Sequence, residues 1–212
     1  MWPAVGLLML LAALCVALRV RWCLLPRSSR PRPRVGVRAS TLVVLGSGGH
    51  TSEMLALLKG LDGDRYAPLH VVVAGTDRTS LPRLESTMPD LARRCTVHVI
   101  RRSREVGQSF LSSVLPTLLA AAESALLVLR AKPDVVLCNG PGTCVPVVAG
   151  ALLARFLGVC DPSIVFVESF CRVESLSLTG RLLYRVADRF VVQWAELARR
   201  FPERAEYLGI LF

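Results

Sequence analysis

From Ser40 onward, short runs of branched apolar residues alternate with longer segments of helical periodicity, and few folds accept that pattern. Thr41 to Leu45 reads as a fully buried strand, followed by the turn Gly46 to His50 and a helix over Thr51 to Lys59. Further strands are expected at Leu69–Ala74, Cys95–Ile100, Asp134–Cys138, Ser163–Val167 and Phe190–Gln193. Between them lie a Pro-interrupted, partly helical stretch to Arg94 and helices at Phe110–Arg130, Thr143–Leu157 and Leu176–Val186. A short helix over Glu196–Phe201 and an apolar tail, Tyr207–Phe212, complete the pattern. Continuous apolar strands joined through helices imply an α/β fold, a parallel sheet covered on both faces. Ligands in such sheets bind beyond the carboxyl ends of the strands.

The first 25 residues do not belong to that domain. Met1 to Leu18 carry no charged side chain, and with Val20 and Trp22–Leu25 the apolar stretch reaches the ~20 residues that span a bilayer as a helix. A cleaved signal peptide places positive charge before its apolar run; here seven arginines, Arg19 to Arg38, follow it, and no Ala-x-Ala site closes it. An uncleaved transmembrane anchor is therefore expected over 1–25. Positive flanks remain cytosolic, which puts the amino terminus in the lumen and the main domain, 40–212, in the cytosol. The Arg/Pro alternation of 26–39 reads as a stiff basic linker with attraction to anionic lipid.

The net charge of +10 is no argument for nucleic acid once it is located. Residues 1–40 hold seven of the 26 basic residues and no acid; the remainder has 19 basic against 16 acidic, an ordinary globular balance. Seven scattered cysteines with no Cys-x-x-Cys pair fit a reducing compartment and give no metal-ligand spacing.

The sharpest local feature is Leu45-Gly46-Ser47-Gly48-Gly49-His50-Thr51-Ser52-Glu53. Glycines there let backbone approach a ligand closely, and the helix amino terminus offers N–H groups to an anion such as a diphosphate. Thr51 or Ser52 can cap the helix, and Glu53 suits its positive end. The spacing is neither that of a dinucleotide fingerprint nor that of a Walker loop; a tight turn needing glycine for geometry alone is the competing account. His50 can donate to phosphate or act as a general base, or can simply bond to backbone. His70 and His98 sit at strand positions and read as structural. Asn139-Gly140-Pro141-Gly142-Thr143 forms a second glycine loop, for which plain turn chemistry is the competing account, and Glu168 follows the fifth strand, either as a solvated carboxylate or where a sugar hydroxyl would be held. Arg101-Arg102-Ser103-Arg104-Glu105 is a solvated loop or a basic contact for phosphate or membrane. Asp62-Gly63-Asp64 spells a metal–nucleotide motif but lies at the wrong end of the sheet and reads as a turn. No metal site or cofactor is expected.

These blocks together are specific. LGSGGHTSEML, RRSREVGQS, PDVVLCNGPGTCVPV, VESFCRVESLSLTGRLLYRVADRFVVQW and the terminal YLGILF, in that order, resemble the membrane-anchoring subunit of the endoplasmic-reticulum UDP-N-acetylglucosamine transferase of protein N-glycosylation. The resemblance covers nearly all of 41–212; the first 40 residues match in character only. That family is similar to the amino-terminal half of the bacterial lipid-diphosphate N-acetylglucosaminyltransferase of cell-wall synthesis, in which two Rossmann-like domains face a cleft, the GT-B arrangement. The resemblance implies the acceptor half of such an enzyme, with the donor-binding domain on a separate partner. It implies that Gly46, Ser47, Gly48, Gly49 and Thr51 cradle the diphosphate of a dolichol-linked sugar, and that Asn139 to Thr143 form the facing loop. His50 or Glu168 would serve the attacking hydroxyl, and the product would be a β1,4-linked second N-acetylglucosamine with inversion. Tyr207, Leu208, Ile210, Leu211 and Phe212 are expected to pack into the partner. Two other readings remain: a purely structural membrane anchor with all chemistry in the partner, and a nucleotide-dependent oxidoreductase, which the fingerprint spacing disfavours.

Overall fold

The computed structural model describes residues 2–24, 38–102 and 114–212. Seven parallel strands form one sheet: β1 (Thr41–Val44), β2 (Leu69–Ala74), β3 (Thr96–Ile100), β4 (Val135–Asn139), β5 (Ser163–Val167), β6 (Arg189–Val192) and β7 (Ala205–Tyr207), in the spatial order β3-β2-β1-β4-β5-β6-β7. The register pairs Val43 with Val71 on one side and with Leu137 on the other, so β1 is an interior strand next to the central β4. Successive side chains of a strand point to opposite faces, and the sequence uses both. Leu42 and Val44 enter one apolar layer with Val136, Ile164, Phe166 and Phe190. Val43 and Leu45 enter the other with Val71, Val73, Val167 and Val191.

Helices cover each face. On the first, α5 (Val114–Ala131) and α6 (Cys144–Leu157) pack together, with α7 (Leu178–Leu183) and α8 (Ala195–Arg200) beyond them. On the second lie α2 (Gly49–Lys59), α3 (Ser80–Thr87) and α4 (Pro89–Arg94). The Pro-interrupted stretch thus resolves into two short helices, Pro89 opening the second at a position where its missing N–H costs nothing. The helix expected over Leu176–Val186 runs only from Leu178 to Leu183; Ser177 caps its start, its hydroxyl accepting from Gly180 N at 2.9 Å. Sequence patterning did not reveal β7: Ala205-Glu206-Tyr207 has no apolar run and is held as a strand by pairing with β6.

α6 is a core helix despite Arg155, whose guanidinium is buried. It donates to Asp188 Oδ2 at 2.5 Å and to the Pro162 carbonyl at 2.6 Å, and its Nε lies 2.8 Å from Asp161 Oδ1. It also reaches the end of α1 (Trp2–Leu24), donating to the Cys23 carbonyl at 2.9 Å. Arg19 returns the contact, donating to the carbonyls of Arg155 and Phe156 at 2.7 and 2.9 Å, where the negative end of α6 favours a cation. α1 is 23 residues long, and Met9, Leu10, Leu11, Leu14, Val16 and Leu18 are exposed. Among the described residues one helix, α5, is long and apolar enough by length and composition to cross a bilayer. Its Ala120, Ser124 and Val128 form a buried stripe, while Leu115, Leu118 and Leu119 face outward. The Phe110–Ser113 start expected for this helix, most of the 26–39 linker, and Ser103, Arg104 and Glu105 lie outside the described residues.

Candidate functional site

The chain enters α2 directly from β1 and α6 directly from β4. Strand order reverses between these two neighbours, so α2 and α6 leave to opposite faces and the switch point falls at the carboxyl edge of the sheet. The two glycine loops meet there. Gly48 caps α2 at φ 71°, in the left-handed region that glycine enters without cost. Gly140 has φ 38°, and a Cβ on it would overlap the imidazole of His50; a Cβ on Gly46 would overlap the ring of Pro141. The loops therefore interlock at van der Waals contact, and only hydrogen fits between them.

The expected cap did not form as read. α2 begins at Gly49, no side chain caps it, and Thr51 instead turns inward, its hydroxyl donating to the Gly46 carbonyl and lying 2.7 Å from Ser80 Oγ. Ser80 in turn donates to Asp77, which also accepts from the backbone of Thr79 and Ser80 at 2.9 and 3.1 Å. Burial alone would raise the Asp77 carboxyl, but the hydrogen bonds from Ser80 and Thr79 outweigh it and hold the group below the ordinary aspartate range. This relay fixes the first glycine loop from behind and leaves the first-turn N–H groups of α2 for an anion.

His50 stands between two recesses. One is lined by Gly46, Ser47, Asp77, Arg102, Pro141 and Thr143; the other by Gly49, Glu53, Gly140, Ser169, Arg172 and Thr179. Arg102 thus reaches the site, with Nη1 3.3 Å from Thr76 Oγ1, whereas Arg101 is tied away, its Nε 2.8 Å from Glu123. Asn139 is buried, its amide donating to the His50 carbonyl at 2.8 Å.

Glu168 follows the end of β5 as expected, but it is fully buried. One oxygen accepts from Ser177 N and Oγ at 3.0 and 3.1 Å, the other from Ser169 N at 3.1 Å. Burial pushes its carboxyl upward against the opposing effect of those bonds. The carboxylate that meets His50 is Glu53, one helical turn on: its Oε2 lies 3.2 Å from His50 Nδ1. The i,i+3 spacing was visible in the sequence; the bonds from Ser169 and Phe170 that also seize Glu53 were not, because they come from the distant loop after β5.

Other expectations resolve away from the crevice. Asp62 Oδ1 accepts from the backbone of Asp64 and Arg65 at 3.0 and 3.2 Å, the turn expected of that motif. His70 and His98 pair with each other across β2 and β3 at 3.0 Å. Among the described residues no group of three His, Cys, Asp or Glu could hold a metal. The tail divides: Tyr207, Leu208 and Ile210 are exposed, while Leu211 and Phe212 pack on the chain's own second apolar layer, with Leu211 N donating to Gln193 at 2.9 Å.

The architecture is a Rossmann-like half of the GT-B arrangement. It is similar to MurG from Acinetobacter baumannii, with a TM-score of 0.54 at 20% identity, over 74% of this chain and 41% of that longer one. The chain belongs to the family of Alg14-like oligosaccharide biosynthesis proteins, whose model matches residues 41–211. It is 46% identical over 206 residues to the UDP-N-acetylglucosamine transferase subunit ALG14 of Rattus norvegicus, covering 92% of this chain and 93% of that one. The same-named proteins of Homo sapiens and Schizosaccharomyces pombe are 45% and 40% identical, over 93% and 87% of this chain and 93% and 88% of theirs.

Proposed function

We propose that this chain is the acceptor-binding, membrane-anchoring subunit of a UDP-N-acetylglucosamine transferase at the endoplasmic reticulum, active only with a partner that binds the donor. The observation that carries the reading is the switch-point crevice, in which two interlocked glycine loops frame His50 beside the uncapped amino terminus of α2. That geometry suits a diphosphate with a hydroxyl-bearing sugar next to it. The relatives matched over nearly their whole length are named as transferase subunits, which agrees with a donor site on another polypeptide.

The substrate is N-acetylglucosaminyl-diphospho-dolichol. Gly46, Ser47, Gly48 and Gly49 and the first turn of α2, with Thr51 locking the loop from behind, hold its diphosphate; the Asn139–Thr143 loop closes the other side. His50 takes the proton of the sugar 4-hydroxyl as that oxygen attacks the anomeric carbon of the donor. The bond from that carbon to UDP breaks with inversion, giving a β1,4 link. Glu168, with both oxygens bound to Ser169 and Ser177, shapes the loop after β5 rather than touching the sugar. α1 crosses the bilayer with its amino terminus lumenal, its Arg19 and Arg21 end cytosolic. The outward leucines of α5 rest on the membrane surface, and the confined substrate is met at raised effective concentration.

The test is transferase activity in membranes supplied with UDP-N-acetylglucosamine and a lipid-diphosphate N-acetylglucosamine acceptor, for this chain alone and with its donor-binding partner. Activity only with both is expected. Activity of the chain alone would place a donor site within it and overturn the division of labour; none with both would overturn the function.

A further inference from the structure

Glu53 has no part in the reaction as described so far, yet it is heavily engaged at the crevice. Its side chain is 12% exposed. Oε1 accepts from Ser169 Oγ at 2.7 Å and from Phe170 N at 3.1 Å; Oε2 faces Asn139 Nδ2 at 3.3 Å and His50 Nδ1 at 3.2 Å. The first turn of α2, the end of β4 and the loop after β5 thus converge on one side chain. Burial would raise its carboxyl, but the bonds from His50, Ser169 and Phe170 more than offset this, and the group lies below the ordinary glutamate range.

A carboxylate accepts and cannot donate. The ring nitrogen of His50 opposite Oε2 must therefore carry the hydrogen, which leaves Nε2 with its lone pair. We infer that Glu53 is a positioning residue for the transfer reaction: it holds His50 in the tautomer whose Nε2 can take a proton, and it stabilises the imidazolium that results. This rests on the proposed role of His50. As the hydroxyl oxygen bonds to the donor carbon, its proton passes to His50 Nε2, and the electron pair of the breaking bond leaves on UDP. Glu53 stays ionised throughout, opposite the new cation. Its hold on Ser169 and Phe170 fixes the dyad to the loop after β5, so the base and the far wall of the recess move as one.

Glu53→Gln keeps an oxygen for Ser169 and Phe170 but turns an amide toward Nδ1, which reverses the tautomer. In the complete complex, kcat should fall about a hundredfold or more with the acceptor KM changed by less than about threefold. The same substitution added to His50→Ala should cost nothing further, because Glu53 acts only through that ring. A purely structural clamp would cost the same in both backgrounds, and that result would overturn the inference. If His50→Ala leaves no measurable rate, ¹⁵N shifts of His50 in the full chain decide: Nδ1 protonated in the wild type and Nε2 protonated in Glu53→Gln supports it, and the same tautomer in both overturns it. An inactive wild-type complex would instead count against the proposed function, and full activity of His50→Ala against His50 as base and hence against this role of Glu53.

Discussion

At the scale of single residues the crevice depends on atoms that are missing as much as on those present. Gly140 combines a positive φ with contact against the His50 ring. Gly140→Ala must either move the loop or displace the imidazole, and a displacement of about 1 Å at a reacting group costs on the order of a hundredfold in rate. Activity of the complex should therefore fall by about that factor while the partner still co-purifies, which membrane assays and pull-down measure side by side. Asp77 acts further back, through Ser80 and Thr51 on the Gly46 carbonyl. Its folded-state carboxyl lies below the ordinary value, so its contribution is present above the unfolded pKa and is lost as pH falls through the folded one. Asp77→Asn should lower stability by about 1 kcal/mol at neutral pH and flatten the loss of melting temperature as pH falls below the ordinary aspartate range. An unchanged acid limb would remove Asp77 from that role.

Among elements, the buried strands were the most legible. Thr41–Val44, Leu69–Ala74 and Val135–Asn139 are apolar on both faces because helices cover both, and no other element produces so short and dense a run. The loops carrying Gly46–Gly49 and Asn139–Thr143 were legible because glycine marks where backbone must come close. β7 was not, since its strand character comes from pairing with β6, nor was the grip on Glu53, which crosses from α2 to the loop after β5. Arg155 lies between these cases. Its charge in an apolar helix was visible, but its partners Asp188, Pro162 and Cys23 come together only in the fold. Arg155→Met leaves the Asp188 carboxylate buried without its cation, at a cost of about 3–5 kcal/mol. The variant should melt well below the wild type; Arg155→Met with Asp188→Asn should recover part of the loss, and no recovery would deny the pair its role.

For the whole molecule, the proposed function asks how the domain would present itself to a membrane and to a partner at once. α1 joins the domain through reciprocal bonds, Arg155 to Cys23 and Arg19 to the end of α6, so it is tied to a helix that packs on the sheet. At the other edge the tail divides into two functions. Leu211 and Phe212 pack against the chain's own core, while Tyr207, at the end of β7, and Leu208 and Ile210 beyond it are exposed. Such a patch suits a partner surface. Leu208→Asp with Ile210→Asp should therefore release the donor-binding partner from membranes and abolish transfer, yet leave the melting temperature of this chain within about 2 °C. Phe212→Ala should do the reverse, lowering stability by about 1–3 kcal/mol through lost packing while the partner is retained at permissive temperature. Co-purification from detergent-solubilised membranes, with a melting curve for each variant, separates the two effects. Partner retention by the double aspartate variant would move the interface elsewhere on the domain.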